Sequence, residues 1–261
     1  MSTPILEFFD VNFVYHTISS ETLSLKNISF KLNKNEFISF VGPSGCGKTT
    51  LLNMIAGLIT ATEGKIEFDG IPKEESTINI GYMLQKDHLL EWRTIYKNLT
   101  LGLEIQHKLD KEHTDMIDDL LKVYGLWDFR NAYPRQLSGG MRQRAALIRT
   151  LALSPEILLL DEPFSALDYQ TRLNVSNDIG SIIKEKGIST LLVTHDLGEA
   201  ISMSDKVIVL TKRPGTIKTI VPLHFSQSNL TPKSKRNTPE FTKYYNEIWE
   251  AVYDENEDFD Q

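Results

Sequence analysis

The sequence predicts an α/β fold: a mixed sheet core with an antiparallel β edge and a helical subdomain. Three observations lead there. FISFV (37–41) is continuous and β-favouring, and ILLL (157–160) and ISTLLVT (188–194) look like strands buried on both faces of a parallel sheet. Residues 5–15 and 25–32 alternate apolar and polar side chains, as half-buried strands do. From about 95 to 150 the apolar residues recur at helical spacing.

Taken in order, the two alternating strands lead through a turn-rich NKNEF (33–37) into FISFV. A glycine loop follows at 42–47, and TTLLNMIAGL (49–58) reads as a helix. Residues 62–71 suggest a hairpin or edge strand, and 80–84 another strand. Met116, Ile117, Leu120, Leu121 and Val123 form a stripe expected to be subdomain core. A helix over about 170–186 separates the two buried strands, and KVIVL (206–210) is a further strand. Residues 226–237 are polar and read as a linker. Phe241, Tyr244, Tyr245, Ile248, Trp249 and Val252 then share one face of a short helix with Pro239 near its start. The expected division is a main domain over 1–225, with its helical subdomain at about 88–150, and an extension over 226–261 ending in an acidic tail.

The composition sets bounds on function. The chain has 261 residues, 41% hydrophobic and 24% charged, enough for a large core with a subdomain. Its net charge is -7 and it has no long basic stripe, so nucleic acid is not an expected partner. Six of the acids lie in residues 250–261, which contain no Lys or Arg. The single cysteine, Cys46, fits a reducing compartment. No secretory leader is visible. No apolar run approaches the roughly 20 residues that span a bilayer, so the expectation is a soluble protein able to dock on a membrane protein.

Two stretches have the composition of a phosphate seat. GPSGCGKT (42–49) fits G-x-x-x-x-G-K-[ST] between a strand and a helix. Gly42, Pro43, Ser44, Gly45, Cys46 and Gly47 would wrap phosphates with backbone amides, Lys48 would add a point charge, and Thr49 can place a hydroxyl on Mg²⁺, with Thr50 next in the helix. A bulky group on Cys46 is expected to block nucleotide binding, because this loop must approach phosphate closely. LSGGMRQR (137–144) is the second seat: bare amides of Gly139 and Gly140 open a helix, whose N-terminus carries partial positive charge. LLLDE (158–162) supplies the carboxylates such a site needs. Asp161 would hold Mg²⁺ directly or through water, and Glu162 is suited to deprotonate an attacking water.

In combination these motifs resemble the ATP-binding subunit of an ABC transporter, over about residues 5 to 215. GPSGCGKT corresponds to that family's phosphate loop, LSGGM (137–141) to its LSGGQ signature, and LLLDEP (158–163) to its second nucleotide motif. SALD (165–168) corresponds to the D-loop, Gln85 to the Q-loop and His195 to the switch histidine. The fold so implied is the P-loop NTPase fold of an ABC nucleotide-binding domain, and the cofactors implied are ATP and Mg²⁺. The resemblance also implies that two copies pack head to tail, so that Ser138 and the amides near Gly140 face the partner's γ-phosphate. That explains why one chain carries two phosphate seats. By the same resemblance Gln85 contacts Mg²⁺ or the water, His195 the γ-phosphate, and Asp168 the dimer interface. Tyr15 is the candidate for stacking on adenine, with Phe13 and His16 as rivals.

QKDHLLEWRTIYKNLTLGLE (85–104), YPRQLSGGMRQRAALIRTL (133–151), DEPFSALDYQTR (161–172) and TKRPGTI (211–217) are similar to the importer branch for nitrate, taurine, alkanesulfonates and thiamine-precursor pyrimidines. Glu91 stands where that branch commonly has proline, and Met141 where the signature commonly has Gln. The branch implies a second copy, permease subunits, an extracytoplasmic solute-binding protein, and a peripheral place on the cytoplasmic face of the membrane. The rival, a non-transport ABC ATPase acting on nucleic acid or ribosomes, would usually bring paired cassettes, coiled-coil insertions or zinc modules. None is present in this sequence. A GTPase would need N-K-x-D after the phosphate loop, whereas NKNE (33–36) precedes it.

Overall fold

The computed structural model describes residues 3–17, 20–165 and 167–253. The acidic tail from residue 254 onward, and Ala166 of the SALD motif, lie outside these residues. The chain opens with β1 (Leu6–His16), β2 (Glu21–Leu32), β3 (Phe37–Val41), α1 (Lys48–Ile55), β4 (Glu63–Phe68) and β5 (Ile71–Pro72). It continues through β6 (Ile80–Met83), α2 (Ile95–Leu99), α3 (Leu101–Ile105), α4 (Lys111–Val123), α5 (Gly139–Leu151) and β7 (Ile157–Asp161). Then come α6 (Tyr169–Lys186), β8 (Ser189–Val193), α7 (Leu197–Met203), β9 (Lys206–Leu210), β10 (Ile217–Pro222), α8 (Pro232–Lys235) and α9 (Pro239–Tyr253). Two compact units divide them: one takes the residues up to Ile78 and those from Ser176 onward, the other Asn79–Val175.

In the first unit β2, β1, β4 and β5 form an antiparallel sheet in that order. Phe8 pairs with Phe30 across β1 and β2, and their rings stack with centroids 4.7 Å apart. A cross-strand aromatic pair of this kind adds to sheet stability beyond its buried area. The other strands of this unit are mostly parallel. β3 runs parallel to β8 on one side and β9 on the other, and β10 returns antiparallel to β9. All five residues of β3 and of β8 are buried, including the polar Ser39, Ser189 and Thr190, as strands covered on both faces of a parallel sheet are. Phe40 is level with Val193. Two residues further on, the two strands end at Gly42 and His195, so the register alone puts both at the carboxyl edge of the sheet, where ligands of open α/β sheets bind.

The second unit pairs β6 with β7 in parallel and is otherwise helical. Met83 is level with Leu160, which brings Gln85 and Glu162 to the same edge. Asp110 caps α4 by accepting from the His113 amide at 3.0 Å. Ile117, Leu120 and Leu121 of the α4 stripe are buried, whereas Val123, at the last helical residue, is 69% exposed and not part of the core.

Three features differ from the sequence reading or were absent from it. β10 was not anticipated; its residues are half exposed on the sheet edge, so the alternation is weak. The segment 226–237 is not simply a polar linker, because it contains α8. Thr231 caps that turn, and Pro232 is buried. On α9, Ile248 is fully buried in a cluster with Val41, Leu197, Ala200, Ile201 and Val209, with Phe241, Tyr244 and Val252 at its margin. Tyr245 and Trp249 lie outside that contact, 36% and 47% exposed, because six aromatic and apolar residues make a stripe wider than the groove they meet.

Candidate functional site

In the first unit the phosphate loop leaves β3 and enters α1 at Gly47, whose φ of 106° is left-handed. Only glycine adopts that geometry without strain, and a Cβ there would also strike the Leu25 side chain. Lys48 is 8% exposed and its ammonium donates to the carbonyls of Gly42 (2.8 Å) and Pro43 (2.9 Å). The Cys46 sulfur lies 3.6 Å from the same ammonium, and Cys46 is 1% exposed. Lys48 is therefore held over the loop by loop carbonyls that phosphate oxygens can replace. Ser44, Gly45 and Thr49 are exposed, and Thr50 is buried.

Tyr15, at the end of β1, shares a hydrogen bond of 3.0 Å with the Thr50 hydroxyl. Its ring is 42% exposed and meets Phe13 edge-on at 4.8 Å. Of the rivals, Phe13 is 8% exposed and belongs to the core, and His16 is paired with Glu21 at 3.1 Å. Tyr15 thus presents an exposed aromatic surface that is tied to the helix following the phosphate loop.

His195 is exposed, directly after the buried β8. The residues that flank it are fixed. Thr194 donates to the Glu199 carboxylate at 2.7 Å, and Asp196 caps α7 by accepting from the Glu199 amide at 3.0 Å.

Arg213 was not singled out from the sequence, where TKRPGTI served only as a branch marker. In the structure its Nε and Nη2 donate to the Gly45 carbonyl at 3.3 and 3.2 Å. Gly215 packs so closely that a Cβ there would overlap the Cys46 carbonyl oxygen. Its amide donates to the Ser24 carbonyl at 2.9 Å, and its own carbonyl accepts from Lys26 at 2.9 Å. The turn after β9 therefore braces the phosphate loop from outside and adds a cation beside it. These partners are 168 residues apart, and no local pattern signals them.

In the second unit Asp161 ends β7 and is 7% exposed. The Tyr82 hydroxyl points at its carboxylate, 3.5 Å away. Burial, together with the adjacent Asp161 charge, holds the Tyr82 phenol well above its usual range, so it remains a neutral donor. Glu162 follows with a left-handed φ of 46°, a costly conformation for a side-chain-bearing residue. Its carboxylate accepts from the Gln85 amide at 3.1 Å, and its carbonyl accepts from the Ser165 hydroxyl at 3.0 Å.

Ser138 caps α5, its hydroxyl accepting from the Met141 amide at 3.3 Å. Gly139 and Gly140 form the first turn, and no acid lies there to offset the helix dipole. The basic residues of α5 grip the segment after Gln85. Arg142 pairs with Asp87 at 3.0 Å, and Arg149 donates to the carbonyls of His88 and Asp87 at 2.7 Å each. Asp168 caps α6, accepting from the Thr171 amide at 3.1 Å. Hydrogen bonds from Thr171 hold its carboxyl below the usual range.

In the second unit the Asp161 carboxylate and the Gln85 amide oxygen are oxygen donors of the kind Mg²⁺ takes, and in the first unit the Thr49 hydroxyl is another. No cluster of three or more His, Cys, Asp or Glu able to hold a metal is found among the described residues. No helix among the described residues is long and apolar enough to cross a membrane.

Residues 25–165 match the ABC transporter family profile. The chain is 46% identical over 250 residues to the uncharacterized ABC transporter ATP-binding protein YtlC of Bacillus subtilis, covering 95% of this chain and 96% of that one. It is 40% identical over 247 residues to the nitrate import ATP-binding protein NrtD of Synechocystis, covering 93% of each. Among solved structures it is similar to the dimeric ATP-binding cassette MJ0796 in a post-hydrolysis state bound to ADP and Pi. That match has a TM-score of 0.73 at 30% identity and covers 84% of this chain and 99% of that one.

Proposed function

Because the chain belongs to the ABC transporter ATP-binding family, we propose that it is the ATPase subunit that powers uptake of a small solute through a membrane permease. The cargo class is nitrate, sulfonate, taurine or a related pyrimidine. The likeness to NrtD over nearly the whole chain carries the import reading. The chain would sit peripherally on the cytoplasmic face of the membrane, with an extracytoplasmic binding protein delivering the cargo and no role for nucleic acid.

ATP lies on the loop Gly42–Thr50. Lys48 leaves the Gly42 and Pro43 carbonyls for phosphate oxygens, and Tyr15 stacks on the adenine. Thr49, Gln85 and Asp161 would hold Mg²⁺, which would supply Lewis-acid neutralisation of the phosphate charge. Glu162 takes the proton of the attacking water, and Gln85 holds its carboxylate in place beforehand. His195 contacts the γ-phosphate.

A second copy completes the site. Its Ser138 hydroxyl and the amides at Gly140 meet the γ-phosphate and stabilise the charge that develops there. Asp168, which caps α6, works at the dimer interface. The dimeric cassette found among the solved structures supports this arrangement.

The test is affinity purification of the protein from gently solubilised native membranes, with partners identified by mass spectrometry. A multi-spanning permease in near-equal amount is expected. Recovery of only soluble or nucleic-acid-associated partners would overturn the import reading.

A further inference from the structure

The extension beyond β10 holds the helix that follows His195. α7 is buried along its whole length, and its Leu197, Ala200 and Ile201 share an apolar cluster with Ile248 of α9. At its C-terminal end the Lys235 ammonium donates to the Ser204 carbonyl at 3.3 Å, where the helix dipole favours a cation. At its N-terminal end lies the guanidinium of Arg236, the residue directly after α8. It fits there because residue 198 has no side chain: a Cβ on Gly198 would lie 2.7 Å from its Nη1 and 3.2 Å from its Cζ.

This placement is costly. Glycine in a helix is less favourable than alanine, and a helix N-terminus repels a cation. The Arg236 Nη2 is buried and has no hydrogen-bond partner among the described residues. The counter-charge is the Asp196 carboxylate, whose Oδ1 would lie 3.0 Å from the same Cβ. That oxygen also caps α7, accepting from the Glu199 amide at 3.0 Å. The Asp196 amide donates to the Thr194 hydroxyl at 3.0 Å, and that hydroxyl donates to the Glu199 carboxylate at 2.7 Å. These bonds close a ring around the backbone of His195, both of whose neighbours are members of it.

We propose that Arg236 is a positioning residue for His195. From the extension it holds the Asp196 carboxylate, and with it the ring of Thr194, Asp196 and Glu199, in the arrangement that presents the imidazole to the γ-phosphate. The inference rests on the γ-phosphate role proposed above for His195. It gives the extension a part in hydrolysis although none of its residues is assigned to nucleotide. Neither the phosphate loop nor Tyr15 belongs to this chain of contacts. Loss of the guanidinium therefore slows hydrolysis and spares ATP binding.

The experiment is steady-state ATP hydrolysis by the full chain, together with NMR of its histidine side chains. Arg236→Met should lower kcat about fivefold and leave KM for ATP within about twofold. Gly198→Ala should do the same by displacing the guanidinium, even though alanine favours the helix and the variant should resist denaturant at least as well as wild type. In both variants the His195 imidazole resonance, assigned by its loss in His195→Ala, should shift. If Arg236→Met does not fold, Gly198→Ala alone carries the test. Wild-type kcat in Gly198→Ala, an unmoved His195 resonance, or a rise in KM as large as the fall in kcat would each overturn the proposal. Wild-type kcat in His195→Ala would overturn the γ-phosphate role and this proposal with it. A slow His195→Ala beside an unaffected Gly198→Ala would overturn the proposal alone.

Discussion

The Gln85 side-chain amide donates to the Glu162 carboxylate at 3.1 Å across 77 residues of sequence. Both residues lie two positions beyond a matched pair, Met83 and Leu160, of two parallel strands. The sheet register therefore sets the contact, and Glu162 makes it from a left-handed backbone, φ 46°. A strained residue hydrogen-bonded by a neighbour in this way is a common design of sites that act on substrate.

The brace behind the phosphate loop is open to a direct test. Gly215→Ala puts a methyl group into the Cys46 carbonyl. Overpacking of this kind costs about 1–3 kcal/mol. The unfolding free energy from denaturant melts should fall by that amount, and KM for ATP should rise more than kcat falls. An unchanged KM would show that the turn after β9 has no influence on the loop.

Arg149 ties α5 to the segment after Gln85 through two carbonyls. Arg149→Met leaves both without this donor, at a cost of about 1–3 kcal/mol. Hydrogen exchange should become faster in residues 85–90 and remain unchanged in α9. Equal protection in wild type and variant would refute the clamp.

Lys235 gives a pH signature. Its folded pKa, about 8, lies below the ordinary 10.5, so between these values the unfolded chain binds the extra proton. Stability should therefore rise as pH increases from about 8 towards 10.5. Lys235→Met removes this contribution, so denaturant melts of the two proteins should converge as pH rises. A difference independent of pH would contradict burial of the charge.

Cys46 is the single thiol, nearly inaccessible and beside the Lys48 ammonium. N-ethylmaleimide should react slowly, more slowly still with ATP present, and the labelled protein should not bind nucleotide. Retained binding after full modification at Cys46 would contradict the close approach of loop and phosphate.

What the sequence made legible follows from how local each signal is. The buried strands, the phosphate loop and the signature cap are written in contiguous residues, and the structure places each where its pattern implies. Sequence left Phe13 and His16 as rivals of Tyr15, because the burial of Phe13 and the pairing of His16 with Glu21 appear only in the fold. Arg213, Gly215 and the Arg142–Asp87 pair were illegible, since their partners arrive only through folding. The extension was misread at 226–237 because a one-turn helix capped by Thr231 has too few residues to show a period.

The most direct test of the account uses Glu162→Gln. If Glu162 is the base and Ser138 serves a partner's ATP, the variant should bind ATP as wild type does and sediment as a dimer with ATP–Mg²⁺. It should be a monomer with ADP, and its turnover should fall about 10²-fold or more. Addition of Ser138→Arg should abolish the dimer without affecting ATP binding. Turnover at the wild-type rate, or a monomer whose nucleotide sites are measurably full of ATP, would contradict the account.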